Sequence, residues 1–499
     1  MPEFRGVLPF SATLAESKYM VSELAARAQS RAPLFVDLDG TLIKTDLLVE
    51  SYFELIKRRP LLALKAFLWL VRGKAYLKDR IAEAIELDPA LLPYQPEMLA
   101  YLRTQREAGR EIHLATASNH RYASAIAGYL RVFDGVLASD GCNNLSGERK
   151  LEAIRAVSSG GFVYAGNGPA DVPIWQAAEG VILVDVPTAA EKMISAKPVE
   201  ARFSSPELGL TPLMRAIRPH QWVKNLLVFL PLLPIATAAN ATMLWRAMLA
   251  FAAFSLCASS VYLLNDLSDL KADRAHPRKR KRPLASGALA PLHGLILVPV
   301  LLALAFALTL LLPWRFATIL ALYWLSTSAY TFFLKRRVLI DVVTLACLYT
   351  LRVLGGGAAI EVNPSFWILT FSVFMFFSLA LVKRYAELYS MGGLNLEKDN
   401  GRGYRVDDIR MVQLMGVASG YLSVLVMALY INSPDIIARY HYVQLLWGVC
   451  PLLILWISRV WLKASRGELM DDPLVFAAKD RVGCFIVALT VGLLLAALL

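Results

Sequence analysis

Two regimes of hydrophobic patterning divide the chain. Up to about residue 205 the apolar runs are short and alternate with stretches of helical spacing; beyond that they approach the ~20 residues that a bilayer core demands. The short runs at Leu34–Val36, 112–115, 135–137, 162–165 and 181–184 predict strands, and the helical stretches between them predict a parallel sheet covered on both faces. Residues 46–99 interrupt the alternation with a mostly helical insert. Within it, 61–71 is an apolar run flanked by Arg58, Arg59, Arg72 and Lys74, too short to span comfortably. It fits a buried cap helix or a segment touching lipid head groups, and the cap is the commoner arrangement. Scattered Pro, Ser and charge over 187–217 predict a linker. The division is then a first domain over 1–190, a linker over 191–217 and a membrane domain over 218–499, in which about nine spans begin near Trp222, Leu244, Ala290, Arg315, Val338, Ser365, Met411, Val443 and Val482.

The formal net charge of +12 raises the question of nucleic acid, and its placement answers it. The cations cluster between apolar spans, at 278–282, at 335–337, at Lys383 with Arg384, and at Arg402, Arg405 and Arg410, as cytoplasmic loops do under the positive-inside bias. Nucleic acid is therefore not an expected partner and the membrane is. A multi-pass protein of a bacterial inner (plasma) membrane with a cytoplasmic N-terminal domain is expected. The first residues carry no signal-peptide pattern. Five scattered cysteines without a CxxC spacing indicate neither a disulfide framework nor zinc.

The chemistry concentrates in two places. After the apolar run 251–264 come Asn265, Asp266, Asp269 and Asp273, the carboxylates at offsets of three and four. On one helix that spacing puts them on one face. Three anions so close require a positive occupant, most simply Mg2+ carrying a diphosphate. Arg274, Lys279 and Arg282 follow, cations able to grip phosphate, with His276 and Pro277 among them. The second place is Asp37-Leu38-Asp39-Gly40-Thr41, at the end of the first predicted strand. Chemistry in open α/β sheets sits at that end. Two aspartates spaced by two can divide labour, one attacking phosphorus and one protonating the leaving oxygen.

With Thr116 after an apolar strand, Lys150, and Gly166-Asn167-Gly168-Pro169-Ala170-Asp171, the first domain resembles the haloacid dehalogenase superfamily of phosphatases. The resemblance covers roughly 33–186. It implies a Rossmann-like α/β fold, Asp37 as nucleophile and Asp39 as general acid/base. Thr116 and Lys150 would hold the phosphoryl group, and Mg2+ would lie among Asp37, Asp39, Asn167 and Asp171. The fourth motif commonly begins Gly-Asp; here Asn167 offers an amide oxygen without charge.

The acidic stretch, with Lys224 and Asn225 in the upstream 218–225 segment, resembles the first motif of the UbiA-type intramembrane prenyltransferases. That implies an all-α polytopic bundle over about 210–499. Members that join a prenyl diphosphate to an aromatic acceptor usually carry a second acidic motif, DxxxD. Here the corresponding stretch runs from Tyr330 through Lys335 to a lone Asp341, and Arg352, Lys383, Arg384, Glu387 and Arg402 follow. Arg352, inside an apolar stretch, should pair with an acid or a phosphate. One acidic metal site beside a cationic phosphate site suits two phosphorylated substrates. The whole set resembles the decaprenyl-phosphate phosphoribosyltransferases of that superfamily. The partners implied are phosphoribosyl diphosphate and a polyprenyl phosphate lipid, with Mg2+ on Asp266, Asp269 and Asp273, and Asn265 orienting the site. Homo-oligomerisation stays open. The alternative is an aromatic prenyltransferase of quinone-type biosynthesis with a non-catalytic or unrelated phosphatase domain. His113 reads as a core residue, and 355–357, three glycines, as a close helix contact.

Overall fold

The computed structural model describes residues 32–499 except 159, 195–196, 205–209, 236–238, 393–402, 470–472, 474–475, 477–479 and 499, and the side chains of 435 and 498. The chain divides into two compact units, residues 1–216 with 266–295 and residues 217–265 with 296–499.

In the first unit the short apolar runs become parallel strands: β1 (Leu34–Val36), β2 (Ile112–Asn119), β3 (Gly135–Ser139), β4 (Val163–Gly166), β5 (Gly180–Val184) and β6 (Val199–Phe203). Their order is β3-β2-β1-β4-β5-β6, the doubly wound arrangement whose switch point lies at β1. Strand β1 reads as an unbroken apolar run because both its faces are covered. Leu34 and Val36 enter one hydrophobic cluster and Phe35 the other. His113 stacks on Phe35 at 4.9 Å and meets Glu111, as a core histidine does. The expected linker is corrected by β6. That strand was hidden because it is an edge strand whose polar positions are charged: Glu200 pairs with Arg110, and Arg202 with Glu191.

The insert after β1 is a helical cap of α1 (Leu47–Arg58), α2 (Pro60–Val71) and α3 (Lys74–Ala84). The Asp46 carboxylate caps α1 by accepting from the Val49 amide at 3.0 Å. Helix α2 belongs to the cap as expected but is not buried. Ala63 joins the small cluster of Leu55, Ile81 and Ile85, Ala66 is also buried, and Leu62 and Trp69 pack partly against the cluster, while Leu61, Leu64, Phe67, Leu68 and Val71 are exposed.

Among the described residues, six helices are long and apolar enough to cross a membrane: Ala241–Ser268, Pro291–Thr309, Ile340–Ile360, Phe366–Gly392, Val406–Ile431 and Val443–Ser465. The expected count of nine is not confirmed. The segment expected from Trp222 is a 3-10 helix, Pro219–Ile235, interrupted by Pro231 and Pro234, which cannot donate to a helical ladder. Trp314–Phe332 carries a run of Ser, Thr and Tyr, and Arg481–Ala497 is short. Several spans remain, and the protein is a multi-pass membrane protein.

Of the glycines at 355–357, Gly356 sets the approach of helix Ile340–Ile360 to the 3-10 segment. A Cβ on Gly356 would lie 2.0 Å from the Val228 carbonyl oxygen, and one on Gly355 2.5 Å from the Phe254 ring. A backbone atom cannot rotate away. Gly356→Ala should therefore destabilise the second unit by on the order of 3 kcal/mol, read as a lowered thermal midpoint of the detergent-solubilised chain. An unchanged midpoint would contradict this packing.

Candidate functional site

The carboxyl ends of β1, β2 and β4 meet at the switch point of the sheet, and the expected phosphatase residues meet there too. Asp37 leaves β1 with its amide bonded to the Ala165 carbonyl at 2.9 Å, so the loop is tied to β4. Lys150 Nζ lies 2.8 Å from Asp37 Oδ1 and 3.6 Å from Asp171 Oδ1. Tyr164 completes this buried group, accepting from Lys150 at 2.9 Å and donating to Asp171 at 2.8 Å. Asp171 in turn holds its own loop by accepting from the Asn167 and Gly168 amides. Gly40, at φ +76°, allows the first and fourth motifs to touch: a Cβ there would lie 2.1 Å from the Asn167 amide nitrogen.

Asp39 is held apart from Asp37. Its Oδ1 accepts from the Leu47 amide at the start of α1, 3.0 Å away, and its Oδ2 accepts from the Ser118 hydroxyl. Thr116 is buried and accepts from the Ser118 amide at 3.0 Å. Burial pushes Asp37 up to about 6, against the pull of Lys150. Burial also pushes Asp39 up to about 7, aided by Asp46 and opposed by Ser118. These are useful directions for an acid that must be protonated near neutrality. If Asp37 is the nucleophile that the resemblance implies, it must be ionised, so rate should rise through its pKa. If Asp39 is the general acid, it must be protonated, so rate should fall above its pKa. Ser118→Ala removes a bond that favours the ionised form of Asp39. It should move the alkaline limb of the kcat/KM profile for phosphomonoester hydrolysis to higher pH. An unmoved limb would separate Asp39 from the proton transfer.

Sequence reasoning missed Ser118, Tyr164 and Lys78. Ser118 lies two residues beyond Thr116 on β2, a signal of alternation that was available. Lys78 comes from α3 and donates to the Ala117 carbonyl at 2.6 Å and to Asn144 at 2.9 Å. Burial lowers its pKa, while Asp39 and Asp46 pull it up. Nothing local in the sequence marks it.

The acidic stretch is not one helical face. Helix Ala241–Ser268 ends between Asp266 and Asp269, and Asp269 (φ −105°, ψ 14°) stands just ahead of a new short helix, Leu270–Ala275, without a side-chain capping bond. Asp266 and Asp273 are nevertheless brought together. Arg282 Nη1 lies 3.1 Å from Asp266 Oδ1 and 2.6 Å from Asp273 Oδ2. Asp269 lies 3.4 Å from Lys57 Nζ. Arg274 forms a buried two-pronged pair with Glu50 of α1 and donates to the Ala285 carbonyl. Lys279 is exposed in a 3-10 turn.

Among the described residues, no group of three or more His, Cys, Asp or Glu gathers round one point. Pairs do: Asp37 with Asp171 round Lys150, and Asp266 with Asp273 round Arg282. In each, one cationic group stands where two carboxylates converge. Hard oxygen donors in that arrangement fit a divalent ion such as Mg2+.

The second unit distributes its expected residues unevenly. Lys335 donates to Asn265 Oδ1 at 3.3 Å. Arg384 and Asp341 are both 0% exposed and form an ion pair at 2.5 Å. Tyr404 donates to the other Asp341 oxygen at 2.7 Å, and Arg384 also meets Glu387 and the Tyr330 hydroxyl. For Arg352, no acid is among the described hydrogen-bond partners. Its described hydrogen-bond partners are neutral: Asn225 Oδ1 at 2.8 Å, the Leu348 carbonyl at 2.6 Å and the Tyr323 hydroxyl at 2.7 Å. The guanidinium also lies 4.7 Å from the centre of the Tyr323 ring, so oxygens of neutral groups and a π face surround its charge. Asn225 and Lys224 are buried, and Asn225 also donates to Ser255 at 3.0 Å. Lys335 and Lys383 are half-buried. Arg402 lies outside the described residues.

Residues 226–478 match the UbiA prenyltransferase family, and residues 34–176 match the haloacid dehalogenase-like hydrolases. An uncharacterised protein of Sinorhizobium fredii, y4nM, is 38% identical across 92% of this chain and 90% of its own length. Nodulation protein NoeC of Azorhizobium caulinodans is 34% identical across 53% of this chain and 86% of its own. Decaprenyl-phosphate phosphoribosyltransferase of Mycolicibacterium smegmatis is 35% identical across 37% of this chain, which spans 59% of that relative's length. The match over the membrane-spanning half, and the separate match over the sheet and its aspartates, lead to one assignment: the chain belongs to the UbiA prenyltransferase family and carries a haloacid dehalogenase-like hydrolase domain ahead of that part.

Proposed function

We propose that the chain transfers 5-phosphoribose from phosphoribosyl diphosphate to a polyprenyl phosphate, and that its hydrolase domain then removes the 5-phosphate. The observation that carries this reading is the fate of Asp341. The one acid of the 330–341 stretch is sealed in the protein and spent on Arg384 and Tyr404, so it is poorly suited to a second metal-diphosphate site. Half-buried Lys335 and Lys383 suit the phosphate of an acceptor, whereas Arg352 and Arg384 suit a supporting role. The resemblance to decaprenyl-phosphate phosphoribosyltransferase supports the same substrates.

In this reading an oxygen of the lipid phosphate attacks the ribose anomeric carbon as the bond to pyrophosphate breaks. Mg2+, held by Asp266 and Asp273 with Asp269 near by, would supply charge stabilisation for that leaving group. Arg282 would exchange its carboxylates for a phosphate oxygen, and Asn265 would keep Lys335 in register. In the hydrolase domain Asp37 attacks the 5-phosphate and Asp39 gives its proton to the departing ribose oxygen. Asp39 then takes a proton from the water that releases phosphate from Asp37. Lys150 and Thr116 would hold the phosphoryl oxygens, and Asn167 and Asp171 would help hold a second Mg2+. The hydrolase domain would extend through β6 to Phe203, and would lie on the cytoplasmic side of a bacterial inner membrane.

Full-length protein in lipid nanodiscs, given Mg2+, phosphoribosyl diphosphate and a long polyprenyl phosphate, should release pyrophosphate and yield a ribosylated lipid without the 5-phosphate. No ribosylated lipid would refute the transfer. Incorporation of a prenyl diphosphate into an aromatic acid would favour the aromatic prenyltransferase instead.

A further inference from the structure

Helix α2 is built inside out. A helix that packs only to complete a cap buries its large apolar residues and shows its small or polar ones. Here Ala63 packs into the cap and Ala66 is buried, with Leu62 and Trp69 partly covered. Leu61 (77% exposed), Leu64 (67%), Phe67 (67%), Leu68 (68%) and Val71 (85%) point away. Their spacings of three and four gather them into one stripe.

The charge around the stripe is one-sided. Arg58, Arg59, Lys65, Arg72 and Lys74 are all exposed, and no acid occurs between residues 58 and 74. Long cationic side chains beside an apolar stripe can lie along it and lift their charges into a phosphate layer. A second copy of the same face would bring cations against cations. Twelve residues of helix reach only about 18 Å, well short of a ~30 Å bilayer core, so the helix would lie flat and not cross.

We infer that α2 is an interfacial helix that seats the cap on an anionic bilayer surface, its five outward apolar side chains among the acyl chains and its cations at the lipid phosphates. The cap it belongs to also shapes the hydrolase site, since α1 presents the Leu47 amide to Asp39 and α3 presents Lys78. Seating α2 on lipid therefore brings that site to phosphomonoesters carried on lipids. The inference rests on α2 itself and does not require the ribose-based substrate.

The test uses the full chain in proteoliposomes containing a phospholipid with a diazirine on its acyl chain. After illumination and digestion, lipid adducts should appear on the peptide spanning residues 60–71, as they do on the membrane spans, and should increase several-fold when phosphatidylglycerol replaces part of the phosphatidylcholine. The double variant Leu64→Glu, Leu68→Glu should lose these adducts while retaining hydrolysis of a soluble phosphomonoester. Labelled spans with no adduct on 60–71 would overturn the inference. So would protein crosslinks joining this stripe to a second copy or another protein. Adducts that ignore anionic lipid would overturn the role given to the cations.

Discussion

Asp37→Asn should lower release of the 5-phosphate from the ribosylated lipid by on the order of a thousandfold, while pyrophosphate release by the transferase half stays near its original rate. The change removes a nucleophile and keeps its shape. It also removes the charge that faces Lys150 Nζ at 2.8 Å, leaving that buried ammonium with Asp171 at 3.6 Å and the Tyr164 hydroxyl. Some loss of stability is expected from this, so retained pyrophosphate release serves as the check that the chain is folded. The measurement is mass spectrometry of the extracted lipids, in which the phosphorylated product should accumulate. If the final lipid from Asp37→Asn carries no extra phosphate, Asp37 is not the nucleophile for this product.

The second large effect belongs to the acidic stretch. Asp273→Asn should reduce phosphoribosyl transfer by on the order of a hundredfold or more and raise the Mg2+ concentration needed for half-maximal rate. Asp273 and Asp266 converge on Arg282 Nη1 at 2.6 and 3.1 Å, so removing one charge leaves the pair unable to present two anionic oxygens to a divalent ion. Hydrolysis of a soluble phosphomonoester should survive, because Asp37 and Asp39 are untouched. Pyrophosphate release titrated against Mg2+ makes the distinction. An unchanged Mg2+ dependence would take Asp273 out of the metal site.

Residue order alone was enough to foresee much of the group that meets at the switch point of the sheet. Asp37 and Asp39 end a strand whose two faces are both apolar, and a parallel sheet places such an end at its crevice. The order of Thr116, Lys150 and Asp171 could be read along the chain. The short apolar stripe 61–71 was equally legible, but which way it faced was not. Helical spacing shows that a stripe exists, whereas burial depends on what packs against it, and here the cap accepts the alanines and leaves the leucines outside.

By itself the sequence determined the parallel-sheet half, the membrane-spanning half and the chemistry each can hold. Those features follow from local periodicity and from residue types that have few other uses, such as three aspartates at a span end. Only the tertiary structure decided that β6 completes the sheet. The same holds for the helix break between Asp266 and Asp269, and for Arg282 joining Asp266 to Asp273 across that break. It also decided that Asp341 is consumed by Arg384, and that Arg352 is satisfied by an amide, a phenol and a carbonyl. The physical reason is common to all of these. A charge in a low-dielectric interior takes whichever partner the packing brings within about 3 Å, and that partner can be tens of residues away in the chain.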